Sequence, residues 1–333
     1  MGIGYQIERL ENLNFSRMFA QAKRGSEMSG KPTLFVMFDM YWCQFRYGTS
    51  FTNYLSFGFY SLPKAKRLTF ITNRINHALC CKLNEREYWP IFNDKAQFGK
   101  VFDDFIIRDW LDLSACTTEE FAAFIERTQK VFLKPADSSC GIGIRKLDVN
   151  QVDDPAKTLA SLRKEGIGLA EEFVPQHDEL AAIHPNALNT IRIVTIRNES
   201  GIDFLFAVLR IGRGDALMDN FNSGGMSAKI DIETGLIIKP AQDMWGNVHS
   251  VHPETGAQIL GTKIPRFDEV MDMIRRAAEV VPQIRYIGWD IAVRNDGVEI
   301  IEGNIQPGNN PYQLPTQLED STGELAAFKK YLE

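Results

Sequence analysis

No stretch of this 333-residue chain approaches the ~20 consecutive apolar residues that a membrane-spanning helix needs. The opening segment, Met1–Leu10, has no apolar h-region, so no secretory signal is expected there. Cysteine is scarce and unpatterned. There are five, an odd number, with no CxxC spacing and with Cys80 and Cys81 adjacent. That excludes a disulfide framework and fits a reducing cytoplasm. The five histidines, His77, His177, His184, His249 and His252, form no HExxH, so structural roles are expected for them rather than zinc binding. Neither GxxxxGK[ST] nor GxGxxG occurs, which removes the P-loop and the dinucleotide fingerprint. A basic surplus is also lacking. The net charge of −6 argues against a dedicated nucleic-acid binder and leaves only a local basic groove open. Internal repeats and low-complexity tracts are absent.

What is present is ordinary globular composition, 44% hydrophobic and 24% charged, in a length that allows two or three sub-domains. Residues 1–30 carry a helical pattern, and Thr33–Phe38 reads as a strand after Pro32. Residues 41–60 are dense in aromatics, which are expected mainly as core; stacking on a sugar or a lipid-linked acceptor is the alternative. A strand is expected at Arg67–Thr72, then helices through residues 73–130, with Thr118 as a cap. Two strands around a glycine loop follow at Val131–Leu147, then a helix at Asp153–Lys164 and a strand at Gly168–Val174. The remainder reads as β: Thr190–Arg197, Asp203–Ile211, Ala228–Ile232 and Leu236–Ile238, with one helix at Phe267–Val281. This is an α+β pattern rather than regular βα alternation.

Three segments carry chemistry. In Trp289–Asn304, two apolar runs flank Asn295-Asp296-Gly297. A three-residue loop there would set Arg294 against Val298, Ala292 against Ile300 and Asp290 against Glu302. Asn304 shares the face of Glu302 by period 2. Two carboxylates and an amide oxygen at one end of a hairpin suit Mg²⁺ carrying phosphates. An exposed pair of acids near a hairpin end is the alternative, and a two-residue loop would shift the pairing and separate them. In Val131–Ile144, Lys134 ends a strand before the small-residue loop Ser138–Gly143. Such a loop either aims backbone N–H groups at an anion or is a plain hairpin turn. In Gly168–Val174 a strand runs into a proline-marked loop bearing Asp178 and Glu179. Its backbone edge suits a base and its acids suit ribose hydroxyls; solvated loop acids are the alternative.

Together these residues resemble the ATP-grasp superfamily, and more closely the sugar-transfer-associated ATP-grasp family, which is similar to the glutamate-ligase branch. Asn93-Asp94-Lys95, Asn189-Thr190-Ile191-Arg192, Asn222-Ser223-Gly224-Gly225 and Glu302-Gly303-Asn304-Ile305-Gln306-Pro307-Gly308 carry the likeness, which runs from about residue 30 to residue 315. The resemblance implies an ATP-grasp fold, with two α+β sub-domains clamping ATP and an N-terminal α/β sub-domain. The expected bounds are 1–113, 114–174 and 175–333. It implies ATP and two Mg²⁺ ions. Lys95 and Lys134 would meet the ATP phosphates or the base side of the cleft, and the loop residues Ser138, Ser139, Gly141 and Gly143 would cover the phosphates. Glu171, Glu172, Phe173 and Val174 would meet adenine, and Asp178, with Glu179 as runner-up, the ribose. Asp290, Glu302 and Asn304 would hold metal. Arg192 and Arg210 would stabilise the transferring phosphoryl group, and Asn222, Gly224, Gly225 and Asn309 would take the acceptor. The chemistry implied is carboxylate–amine ligation through an acyl phosphate, on small-molecule substrates such as an amino acid and a sugar acid or peptide. A polysaccharide-biosynthesis role in the cytoplasm would fit. A non-catalytic nucleotide-binding regulator and a phosphotransferase on the same site are the competing readings.

Overall fold

A computed structural model of the chain describes residues 15–128, 130–135, 143–215, 219–221 and 224–332. The chain divides into two compact units. One comprises Met1–Leu79, Met244–Gly246 and Asn309–Glu333; the other comprises Cys80–Asp243 and Asn247–Gly308.

The first unit is helical. Thr33–Phe38, expected as a strand, instead opens the fifteen-residue helix Thr33–Tyr47. A six-residue run with five apolar side chains cannot by itself separate strand from helix. Pro32 at the start and Gly48 at φ 72° just past the end decide for a helix of this length. Arg67–Thr72 is likewise no strand, because Arg67 closes the short helix Lys64–Arg67. The Arg67 guanidinium turns inward and forms two 2.7 Å hydrogen bonds to Asp39, whose carboxylate also accepts from the Tyr54 hydroxyl at 2.7 Å. Tyr47, Tyr54, Phe57 and Phe59 from the aromatic block are buried with Val36, Met40 and Phe70. Most of the block is therefore core, as expected, although Trp42 and Phe45 are exposed.

The second unit holds two antiparallel sheets. The smaller runs β1-β4-β2-β3, with β1 Trp110–Asp112, β2 Val131–Pro135, β3 Arg145–Leu147 and β4 Ile167–Glu172. Helix Thr118–Arg127 serves this sheet. Thr117, not Thr118, caps it, in a reciprocal capping box with Glu120. The larger sheet runs β11-β10-β5-β6-β7-β8-β9. Its strands are β5 Ile191–Asn198, β6 Gly201–Ile211, β7 Met226–Ile230, β8 Ala241–Asp243, β9 Val248–His249, β10 Tyr286–Val293 and β11 Val298–Asn304. Leu236–Ile238 forms only isolated bridges. Helix Phe267–Ala277 buries Phe267, Val270, Met273, Ile274 and Ala277 in the core that also contains Trp289 and Ile291. Each of the large side chains contributes about 1.5–3 kcal/mol of burial. Acids in its first turn and Arg275 and Arg276 in its last complement the helix dipole.

The β10–β11 hairpin reaches the expected pairing by an unexpected route. Val293 pairs with Val298 and Ala292 with Glu299, so the loop has four residues rather than three. A β-bulge between Asp290 and Ile291 then absorbs one residue of β11 and brings Asp290 opposite Glu302.

Candidate active site

Every residue of β10 is buried, and one of them is Asp290. A buried carboxylate must be paired. Arg192, its register partner on β5, grips it with Nε on one oxygen and Nη2 on the other at 2.8 Å. Arg210 on β6 donates from Nη1 to the second oxygen at 2.7 Å. Burial opposes ionisation of Asp290, but the two guanidiniums outweigh it and hold its carboxyl well below the usual aspartate range.

Glu302 lies directly across from Asp290 in the strand register, close enough for the two carboxyl groups to act on each other electrostatically. Glu302 is exposed to solvent. Desolvation of the carboxyl against the strand, and then the neighbouring Asp290 carboxylate, raise its pKa above the ordinary glutamate value. Asn304 donates to Glu302 at 3.2 Å. Asp290, Glu302, Asn304, Arg192 and Arg210 are therefore one cluster. Gly288, opposite Asn304, lets Pro307 close over the strand: a Cβ there would sit 2.6 Å from the Pro307 Cβ.

The sequence carried no signal for Asp219. It is buried in the loop before β7, where it takes Arg210 Nη2 at 2.9 Å and the Thr190 amide at 2.8 Å, together with the Thr190 hydroxyl. Arg210 is thus fixed between two carboxylates. Gly224, at φ 105°, and Gly225 carry the chain back to β7. A Cβ on Gly225 would lie 2.5 Å from the Asp219 carbonyl oxygen, and a backbone atom cannot yield cheaply. Gly225→Ala is therefore expected to displace Asp219 and lower the melting temperature by several degrees, at a cost of about 1–3 kcal/mol. A variant melting with the wild type in calorimetry would refute this.

A second cluster sits on the smaller sheet. Glu171 of β4 takes Lys134 of β2 on one oxygen and Arg108 on the other at 3.0 Å. Burial alone would raise the Glu171 pKa, but Arg108 and Lys134 outweigh it and hold it down to about 2. Lys95, the first residue of a helix capped by Asp94, donates to the Pro135 carbonyl at 3.4 Å. Gly143, at φ 78°, packs on Pro135. Lys95 and Lys134 therefore both approach the strand end from which the small-residue loop departs. Ser138, Ser139, Gly141 and Asn222 lie outside the described residues.

Arg108 links the clusters and was missed in the sequence, where a single arginine after Ile106-Ile107 gives little warning. Its guanidinium is buried. Besides Glu171 it binds Glu299 at 2.8 Å and the carbonyls of Ile300 and Ile301 at 2.9 and 3.2 Å. Those carbonyls belong to the bulged stretch of β11, so Arg108 holds the kink that sets Glu302 against Asp290.

Along β4 and the loop after it, the Glu172 amide donates to Asp109 and the Phe173 amide to Lys130, and Val174 is buried. Asp178 and Glu179 open an exposed helical turn, with Asp178 and Asn295 exchanging hydrogen bonds at 3.0 and 3.2 Å. Asn309 belongs to the helical unit. There its amide donates to the Ile71 carbonyl at 2.5 Å and accepts from Asn53 at 2.9 Å, so its side chain is committed within that unit.

No curated protein sequence matches the chain. Three solved structures are similar to it in part. The ATP-grasp ligase PsnB complexed with minimal precursor, Mg and ADP has 14% identity and a TM-score of 0.45, over 75% of this chain and 62% of that one. D-cycloserine synthetase DcsG has 12% identity and a TM-score of 0.44, over 75% and 74%. D-alanyl-alanine synthetase A from Vibrio cholerae has 12% identity and a TM-score of 0.42, over 73% and 64%. The chain thus spans less than two thirds of the length of PsnB. The sequence itself matches the sugar-transfer associated ATP-grasp family across residues 74–325. With that match over most of its length, and with its antiparallel sheets and helices in an α+β arrangement, the chain belongs to the sugar-transfer associated ATP-grasp family.

Proposed function

We propose that this protein is an ATP-dependent carboxylate–amine ligase that uses Mg²⁺ and forms an amide through an acyl phosphate. The observation that carries this reading is the Asp290–Glu302 pair. Two facing carboxyl groups, with two guanidiniums behind one of them and solvent before the other, make a set of hard oxygen donors suited to a divalent cation. With Asn304 beside them they fit Mg²⁺, and these three residues would hold it. When bound, Mg²⁺ neutralises charge on the phosphates.

The chain's own residues supply the rest. Lys95 and Lys134 offset negative charge on the nucleotide, and the loop of residues 138–143 covers the phosphates. The backbone of Glu172–Val174 meets adenine, with Glu171 behind it, and Asp178 or Glu179 meets the ribose. Arg192 and Arg210, anchored by Asp290 and Asp219, present fixed positive charge where a phosphoryl group transfers. Preorganised charge of this kind accounts for most of what phosphoryl transfer needs. Asn222, Gly224, Gly225 and Asn309 are the proposed acceptor contacts, and residues 1–113, 114–174 and 175–333 the working sub-domains. An amino acid and a sugar acid or peptide are the substrate classes we favour, in the cytoplasm.

Incubation with ATP, Mg²⁺ and panels of sugar acids and amines, with mass spectrometry of the products, identifies the pair. Oxygen-18 placed in the substrate carboxylate is then expected in the released phosphate, because that oxygen attacks the γ-phosphorus and leaves with it. AMP and pyrophosphate as products, or phosphate free of label, would exclude this route.

A further inference from the structure

Helix Thr33–Tyr47 is apolar on two sides. Val36, Met40, Cys43 and Tyr47 are buried on one. Leu34, Phe35, Phe38, Trp42 and Phe45 are exposed on the other, Phe38 by 70% and Phe45 by 73%. At 3.6 residues per turn these five fall within an arc of about 100°, a single stripe with no polar residue among them. A surface that presents three phenylalanines, a tryptophan and a leucine side by side is covered in use.

Charge indicates what covers it. Residues 15–79 contain nine lysines and arginines against two acids, Glu27 and Asp39, in a chain whose net charge is −6. Asp39 is neutralised inside the fold by Arg67. Lys23 and Arg46 are exposed, and the Lys31 amine lies 5.7 Å from the Phe35 ring centroid. Bringing this basic segment against its own copy would be repulsive. An aromatic stripe with basic neighbours instead matches a helix that lies in the headgroup layer of an anionic bilayer, with Trp at the polar boundary. None of the described helices is long and apolar enough to cross a membrane, so the contact would be peripheral. We infer that the exposed face of helix Thr33–Tyr47 is an interfacial binding surface for anionic lipid membranes.

The test uses the full chain and vesicles of phosphatidylcholine alone or with about 30 mol% phosphatidylglycerol. Binding is expected only to the anionic vesicles, with loss at high salt. Brominated lipid should quench wild-type emission, and the quenching should fall in Trp42→Phe. Phe38→Glu/Phe45→Glu changes two exposed positions, so the melting temperature should hold while the bound fraction drops at least about tenfold. Arg46→Glu should weaken binding by a smaller factor. Three results would each overturn the proposal: no affinity for anionic vesicles, affinity that survives Phe38→Glu/Phe45→Glu, or light scattering that shows a dimer dissolved by the same substitutions.

Discussion

Glu302→Gln is expected to reduce ATP-dependent phosphate release by more than about a hundredfold, while the melting temperature of the metal-free protein holds or rises. Glu302 is the accessible half of the carboxyl pair, so its loss removes the donor that faces solvent and leaves Asp290 tied to its two arginines. Glutamine is nearly isosteric, and its amide can donate to Asp290. It also removes a negative charge from beside a carboxylate, which relieves like-charge repulsion. Activity and stability should therefore move apart. Wild-type turnover in this variant would end the metal-site assignment. Equal loss of activity and of folded protein would show that Glu302 is structural. Asp290→Asn should behave differently. It strands Arg192 and part of Arg210 without their counter-charge, so both activity and stability are expected to fall.

The second large effect is expected from Arg108→Ala. This substitution leaves Glu171 and Glu299 buried without their main partner and releases the carbonyls of Ile300 and Ile301. Breaking a buried ion pair on one side typically destabilises by about 3–5 kcal/mol. In a domain of this size that is roughly ten degrees of melting temperature. Acid titration gives an independent check. The folded-state pKa of Glu171 is lowered from 4.5 to about 2. A lowered acid pKa contributes stability that is fully present above the unfolded value and is lost as pH falls through the folded one. The shift corresponds to about 3 kcal/mol at neutral pH. Wild-type stability should thus decline between about pH 5 and pH 2. Without Arg108 the pKa depression shrinks and the decline should flatten, leaving the part due to Lys134. The bulge should also relax, moving Glu302 off Asp290 and raising the Mg²⁺ concentration needed for half-maximal activity. A loss below about 1 kcal/mol, with an unchanged acid limb, would remove Arg108 from this role.

Several features were legible in the residues themselves. Alternation in Trp289–Asn304 marked a hairpin with its acids on one face, because period 2 is a property of the local backbone. Thr190–Arg197, Asp203–Ile211 and helix Phe267–Ala277 were readable for the same reason: burial on one side or both leaves a periodic trace. The family resemblance also lay in the sequence, since the chemistry demands particular side chains at particular strand ends.

The tertiary structure decided what depends on partners distant in the chain. Thr33–Phe38 suited a strand as well as a helix, and its packing on Tyr54, Phe57 and Phe70 accompanies the helical choice. The hairpin loop is one residue longer than its Asn-Asp-Gly motif indicated, and the Asp290–Glu302 pairing survives only because a bulge, held by a guanidinium about 190 residues away in the chain, compensates. Arg108 and Asp219 have no local signature at all. A charged residue can enter a core only where opposite charges meet it, and for these two the partners are Glu171, Glu299 and Arg210, which only the folded chain brings to them.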